Sequence, residues 1–382
     1  MLIIRKKAWI VVFVVGLSLI AGGVVWAAGG GFTDTTISDF NAGTVGSCLV
    51  SPSATNASGD GEVVLGLGTG GMLETFSGTT LTNTWSSGSY GGGSLTVNNG
   101  LTVDGYWAAS NSTVTAPRVL EFVATFSSTV QHVGFGADQT LNSFTPWALF
   151  STRGPSTDGD QLYARTLAIT QTWTPLGTTY FGSPHRYRIE WTSTQVNYYI
   201  DGSLKATDAA VPISTTAMYP VVSDPVPDGI PLVVDWMQMG DYISNCTFES
   251  RSFNANTANP TWGQLTATTS LPTGTNMTFN TRTSQDGLTN WSPWAALGTG
   301  NAITSPSDQY IQYQAILTTT VSQYTPVIAS VLITGTGPTA VTMSTFSGHT
   351  SPTGDSLPLA LIVVGMVLAV IVVKARPSSS AS

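Results

Sequence analysis

One glutamate, Glu190, stands beside Trp191 in the run HRYRIEWTSTQVNYYIDGSLKAT, His185 to Thr207. A carboxylate placed this way could serve as a general acid or base. The spacing argues for a plainer role. Tyr187, Ile189 and Trp191 alternate with Arg186, Arg188 and Glu190. After Thr-Ser-Thr-Gln, Val196, Tyr198 and Ile200 alternate with Asn197, Tyr199 and Asp201. Period two predicts two antiparallel strands, each with one apolar face turned inward. Glu190 then shares a face with two arginines, and an ion pair on the wet side of a strand accounts for it.

Few other residues carry chemistry. Asp158 and Asp160 fall in a Gly-rich turn. His132, in HVGFGADQ, has no Cys, Asp or Glu at ligand spacing and reads as a hydrogen-bonded polar residue. Two cysteines and three histidines, widely scattered, do not suggest a zinc site. In an exported chain Cys48 and Cys246 read instead as one disulfide. It would close a loop worth about 4–5 kcal/mol in the chain-entropy model. Asn56, Asn111, Asn245, Asn276 and Asn290 fit the N-glycosylation pattern, which matters only in a host that glycosylates exported proteins.

The elements that must position these residues are strands. The 382 residues suffice for two or three domains, and only 9% are charged. With 11 Trp, 12 Tyr and 14 Phe the chain is too aromatic for disorder. Its 40 glycines and its many Ser and Thr suit short strands and frequent turns. From Ala28 to Ser356 one Lys and seven Arg face 21 acidic residues, a balance that excludes nucleic acid as a partner.

Both ends read as membrane addresses. Arg5, Lys6 and Lys7 precede a long apolar run ending in WAAGG, so residues 1–28 read as a signal peptide or signal anchor. Leu357 to Val373 carries no charge, and at ~1.5 Å per residue it spans about 26 Å, enough for a bilayer core. Lys374 and Arg376 follow, which places the 374–382 tail in the cytoplasm and the body outside. TSPTGDS before that span is similar to a sortase signal but lacks its Leu-Pro, so wall anchoring is a minor alternative. Residues 335–356 form a Thr/Ser/Gly/Pro stalk.

Between the ends, 33–245 is strand-like throughout, with turn signals GDGE, NNG, VDG, TDGD, IDG and PDG. Asn98-Asn99-Gly100 predicts one hairpin, and Asp201-Gly202 predicts another with a type I′ turn. The motifs change near Cys246. Residues 246–334 read as a smaller β-sandwich with a core of Trp262, Trp291, Trp294, Tyr313 and Leu317.

The first of these domains resembles the concanavalin A-like, laminin-G-like jelly rolls, and among them the laminarinase and lichenase glycoside hydrolases. The resemblance rests on FSGTTLTNTWSS, NNGLTVDG, RVLEFVATF, HVGFGADQ, PWALFSTR, the HRYRIEW…NYYIDG pair and LVVDWMQMGDY, over residues 70 to 243. The second resembles small sandwiches appended to bacterial surface proteins. Catalytic members of the first family carry a Glu-x-Asp-x-x-Glu strand whose carboxylates share one cleft. Here the interval between PWALF and HRYRIEW holds Asp158 and Asp160 and no glutamate. The resemblance therefore implies a non-catalytic, lectin-like domain. It also implies a structural Ca²⁺ at Asp235, with Asp138, Asp158 and Asp160 as weaker candidates. A glycan site needs aromatic faces beside polar groups, which points to Trp107, Tyr163, Arg165 and Trp173. Trp191 and Trp236 are assigned to the core.

The expectation is an all-β, membrane-anchored surface protein whose jelly roll binds polysaccharide or a surface partner without catalysis. A structural, self-associating envelope protein is the rival reading, and a divergent glycoside hydrolase the third.

Overall fold

The computed structural model describes residues 31–336 except 54–59, 142–145, 155–160, 169, 210–212 and 214. The expected signal segment, most of the stalk, the expected transmembrane helix and its tail lie outside the described residues. So do Asp158 and Asp160. Among the described residues no helix is long and apolar enough to cross a membrane.

The chain is all-β, as expected. It opens with β1 (Gly31–Asp34), a one-turn helix α1 (Ile37–Asn41), β2 (Cys48–Pro52) and β3 (Gly61–Leu65). Thr36 caps α1 by accepting from the Asp39 N–H at 3.0 Å, which aims Phe40 into a core. Thirteen strands follow: β4 (Met72–Glu74), β5 (Trp85–Val97), β6 (Leu101–Ser110), β7 (Arg118–Thr125), β8 (His132–Gly136), β9 (Trp147–Ser151), β10 (Leu162–Leu167), β11 (Gln171–Gly177), β12 (His185–Trp191), β13 (Gln195–Ile200), β14 (Ser203–Ala209), β15 (Tyr219–Asp224) and β16 (Leu232–Gly240). The chain ends in β17 (Asn245–Glu249), β18 (Phe253–Asn254), β19 (Thr261–Ser270), β20 (Thr275–Ser284), β21 (Ala295–Ala296), β22 (Tyr310–Thr319) and β23 (Val327–Thr336).

The thirteen strands form one curled sheet: eleven run in the order β11-β10-β9-β8-β15-β6-β16-β7-β12-β13-β14, with β4 paired to β16 and β5 to β6 beside this path. It doubles over at β6, whose Tyr106 to Ala109 pair with β15 and whose Leu101 to Val103 pair with β16. The bend is glycine-dependent. Gly105 sits at φ +69°, and a Cβ there would lie 2.6 Å from the Gly92 carbonyl oxygen of the bulged β5. Doubling over brings Phe150 of β9 against Tyr187 and Tyr198, and Phe135 of β8 against Trp191. That closes a jelly-roll core. Trp191 is fully buried in it, as expected, while Trp236 is fully buried under Arg186 on the sheet's outer side.

The second sandwich is built from both ends of the described residues. One sheet runs β1-β23-β3-β2 with β19 on β23, and the other runs β17-β22-β20-β21 with β18 on β22. Its core gathers Phe32, Phe40 and Leu65 from the start with Phe248, Trp262, Tyr313 and Leu317 from the end. This differs from the expected division at 245/246. Residues 31–65 look like any other strand-rich stretch, and only their pairing partners place them. Trp291 and Trp294 are also not core residues. They are half-buried and flank the Arg282 guanidinium at 5.0 and 4.2 Å.

The second sandwich lies over the outer face of β7, β12 and β16. Arg186 joins Glu62 at 2.5 Å to Glu121 at 2.6 Å, and Ser51 donates to Gln238 at 2.7 Å. Glu190 pairs with Arg188 at 2.6 Å, as its periodicity predicts. Its face is not wet, however: Glu190 is 7% exposed, and Tyr324 of the second sandwich sits over Arg188. The Cys48–Cys246 disulfide is formed and ties β2 to β17.

Candidate functional site

The other outer face of the jelly roll, on β6, β15, β8, β9, β10 and β11, carries the candidate site. Register aligns Trp107, Ser223, His132, Ser151 and Tyr163 in one row across five strands. The next row aligns Leu149, Arg165 and Trp173. All four sequence-predicted binding residues, Trp107, Tyr163, Arg165 and Trp173, therefore belong to one face. At ~4.8 Å between strands, Trp107 stands about 19 Å from Tyr163 and belongs to the far end of that face.

Arg165, Trp173 and His132 line a cavity of about 200 Å³ together with Leu141, Trp147, Leu149, Arg153, Gly154 and Gln171. Tyr163 is not in its lining but packs against Trp173, the two rings T-shaped with centroids 6.2 Å apart. The Arg165 guanidinium lies 3.9 Å from the centre of the Trp173 ring and 5.6 Å from that of Trp147. It donates to Ser151 Oγ at 2.8 Å. With the Gln171 amide turned so that both its ends are satisfied, Gln171 Oε1 accepts from Arg165 Nε at 3.2 Å and Nη2 at 2.5 Å.

Ser151 is the hub of this arrangement. Its oxygen accepts from Arg165 and from the Arg153 backbone N–H at 3.1 Å, and it lies 2.8 Å from His132 Nδ1. Both hydroxyl lone pairs are used, so the single hydroxyl proton is directed to Nδ1, and the imidazole carries its own hydrogen on Nε2. Burial holds His132 well below the ordinary imidazole range, helped by the charges of Arg165 and then Arg153. Burial also pushes Arg165 down to about 9, and Arg153 adds to the effect. At neutral pH the site presents a neutral imidazole and charged guanidinium groups between indole rings. That chemistry stacks on flat or apolar surfaces and donates hydrogen bonds to oxygen.

The sequence reading missed Trp147, Arg153 and Gln171. WALFS is apolar on both faces: Ala148 and Phe150 fill the core, while Trp147 and Leu149 turn outward and are covered. A strand buried on both sides lacks the alternation that would have marked its outward residues. Arg153 and Gln171 lie at strand ends, where no periodicity applies. The hydrogen-bonded role expected of His132 is what the geometry shows, but inside the site.

Asp235 sits in β16 beside a register shift between Val234 and Trp236, with its carboxyl pushed up by burial. Among the described residues no three His, Cys, Asp or Glu side chains gather as a metal site requires.

No family model matches the chain, and no curated protein matches it. Among solved structures it is similar to β-agarase A from Zobellia galactanivorans, at 16% identity over 45% of this chain and 93% of that one, with a TM-score of 0.34. It is similar to a Bacillus licheniformis β-glucanase, at 17% identity over 45% and 99%, TM-score 0.33. It is also similar to an endo-β-1,3-glucanase from Pyrococcus furiosus, at 11% identity over 45% and 94%, TM-score 0.35. The likeness is one of fold. Each of these neighbours is an enzyme, and the expectation that this chain is not one is withdrawn. That expectation rested on one missing motif, the Glu-x-Asp-x-x-Glu strand, and the fold's neighbours do not support it.

Proposed function

We propose that this chain is a membrane-tethered surface protein whose jelly roll engages polysaccharide through the face of β8 to β11. One observation carries the reading. Two indoles, Trp147 and Trp173, converge with Arg165 and Gln171 on a single cavity, and the Tyr163 ring packs against Trp173. Sugars offer apolar C–H faces ringed by hydroxyls, and a site for them combines aromatic planes with a few fixed donors. The tether is the apolar span 357–373, and its basic flank sets the body outside the cell.

The test is a glycan array probed with the full chain in detergent, with release of reducing ends measured on every glycan bound. Binding that weakens on Trp173→Ala supports the proposal. A comprehensive array with no binder overturns it. The orientation is read separately: proteinase added to intact cells degrades the body if the tether is as proposed and leaves it whole if not.

A further inference from the structure

The arginines of the body differ in how their charge is met. Arg186, Arg188, Arg251 and Arg282 each lie within 4 Å of a carboxylate. Arg165 is 4% exposed, more buried than any of these, and among the described residues its partners are neutral: Ser151, Gln171 and two indole faces. Exposed Arg153 lies beside it on the same cavity. No carboxylate is found among the described residues lining that cavity, in a chain with 21 acidic residues against 13 basic ones. The Trp147 indole N–H, buried in the same wall, has no acceptor among the described residues.

A buried cation normally keeps a counter-charge, because removing it from water costs far more when it is unpaired. A guanidinium presents a planar fork of donors that matches the two or three oxygens of a carboxylate or sulfate. From this complementarity we infer that the cavity takes an anionic sugar, with the sulfate ester or uronate carboxylate of a polysaccharide set against Arg165 and Arg153. The inference rests on the proposed polysaccharide binding and gives that ligand its charge. The oxyanion supplies a counter-charge that none of the described residues provides, and the Trp173 and Trp147 faces take the adjoining ring. Neutral glycans lack the first half of this match.

The test is calorimetric titration of the full chain in detergent with paired oligosaccharides. A sulfated galactan oligomer is compared with its desulfated form, and an oligogalacturonate with its methyl ester. Sodium sulfate alone is a separate arm. The expected result is at least tenfold tighter binding of one charged member over its neutral partner, weakening severalfold between 50 and 500 mM NaCl. The pair that shows the gap distinguishes sulfate from carboxylate. R165Q is expected to remove the gap. Because Arg165 is buried, the exposed R153Q is measured beside it and is expected to narrow the gap while leaving the melting temperature unchanged. Competition by sodium sulfate on the unaltered protein gives the same answer without a variant. Equal binding of charged and neutral members overturns this inference and leaves polysaccharide binding standing. Failure of every glycan overturns both. Sodium sulfate binding without any glycan binding assigns the cavity to free anions and overturns the sugar.

Discussion

The Arg165 guanidinium lies 3.9 Å from the centre of the Trp173 ring, on the strand paired with its own. The two residues are directly opposite across β10 and β11, so backbone register brings them together. Trp173 is half-exposed while Arg165 is buried, so the indole is the accessible wall and the guanidinium the floor.

Trp173→Ala is expected to weaken polysaccharide binding about fivefold, since one aromatic platform worth on the order of 1 kcal/mol is lost. The melting temperature should move little, because the ring is half out of the core. Titration calorimetry beside a thermal melt checks both. Unchanged affinity would place the ligand elsewhere.

Arg186 holds the two sandwiches together through Glu62 and Glu121. Arg186→Met is expected to cost about 3–5 kcal/mol, because it leaves Glu62, with a side chain 6% exposed, without its counter-charge. Glu62→Gln in the Arg186→Met background should restore part of the loss. A urea-unfolding double-mutant cycle measures this, and strict additivity would mean that the pair does not couple.

Removing the disulfide as Cys48→Ser with Cys246→Ser opens a loop of 198 residues. The expected loss is about 4–5 kcal/mol, carried by the unfolded state. Urea midpoints with and without reductant check it. A reductant effect that persists in the double variant would contradict the assignment.

Stability should depend on pH through His132. In the unfolded chain this imidazole takes a proton near pH 6.5, whereas in the fold burial, then Arg165 and Arg153, keep it neutral well below that. Below pH 6.5 the unfolded state binds more protons, so the His132 contribution to stability falls as the pH drops. Asp34 and Asp224 act in the opposite sense. Burial raises each to about 6, so the fold keeps protons that the unfolded chain releases from about pH 4 upward. The measurement is therefore a difference. His132→Gln should lose less melting temperature than the unaltered protein between pH 7 and 5. Parallel curves would show that His132 is charged in the fold.

Much of the strand content was legible because alternation and turn chemistry are local. Asp201 and Gly202 both take positive φ, 50° and 75°, as the type I′ hairpin requires. The Cys48–Cys246 bridge was legible from counting alone. Residues 33–65 were assigned to the wrong sandwich because pairing partners roughly 300 residues away leave no local mark, as with Thr33 opposite Leu332. Trp291 and Trp294 looked like core residues because an aromatic clamp on Arg282 and a buried aromatic are written in the same letters. Of the cavity lining, Arg165 and Trp173 were singled out through their residue types, and Tyr163 packs beside it against Trp173. Trp147 was hidden in a strand covered on both faces.

Gly31 pairs with Thr334, so the described chain enters and leaves side by side. Tension applied through the two ends falls first on the β1–β23 ladder, in a geometry that peels rather than shears. If that ladder gives way, the cross-link between Cys48 and Cys246 carries the force onward. The jelly roll hangs between those cysteines as slack and is never in the line of pull. A load carried through the ends of the described chain therefore leaves the jelly roll unstretched.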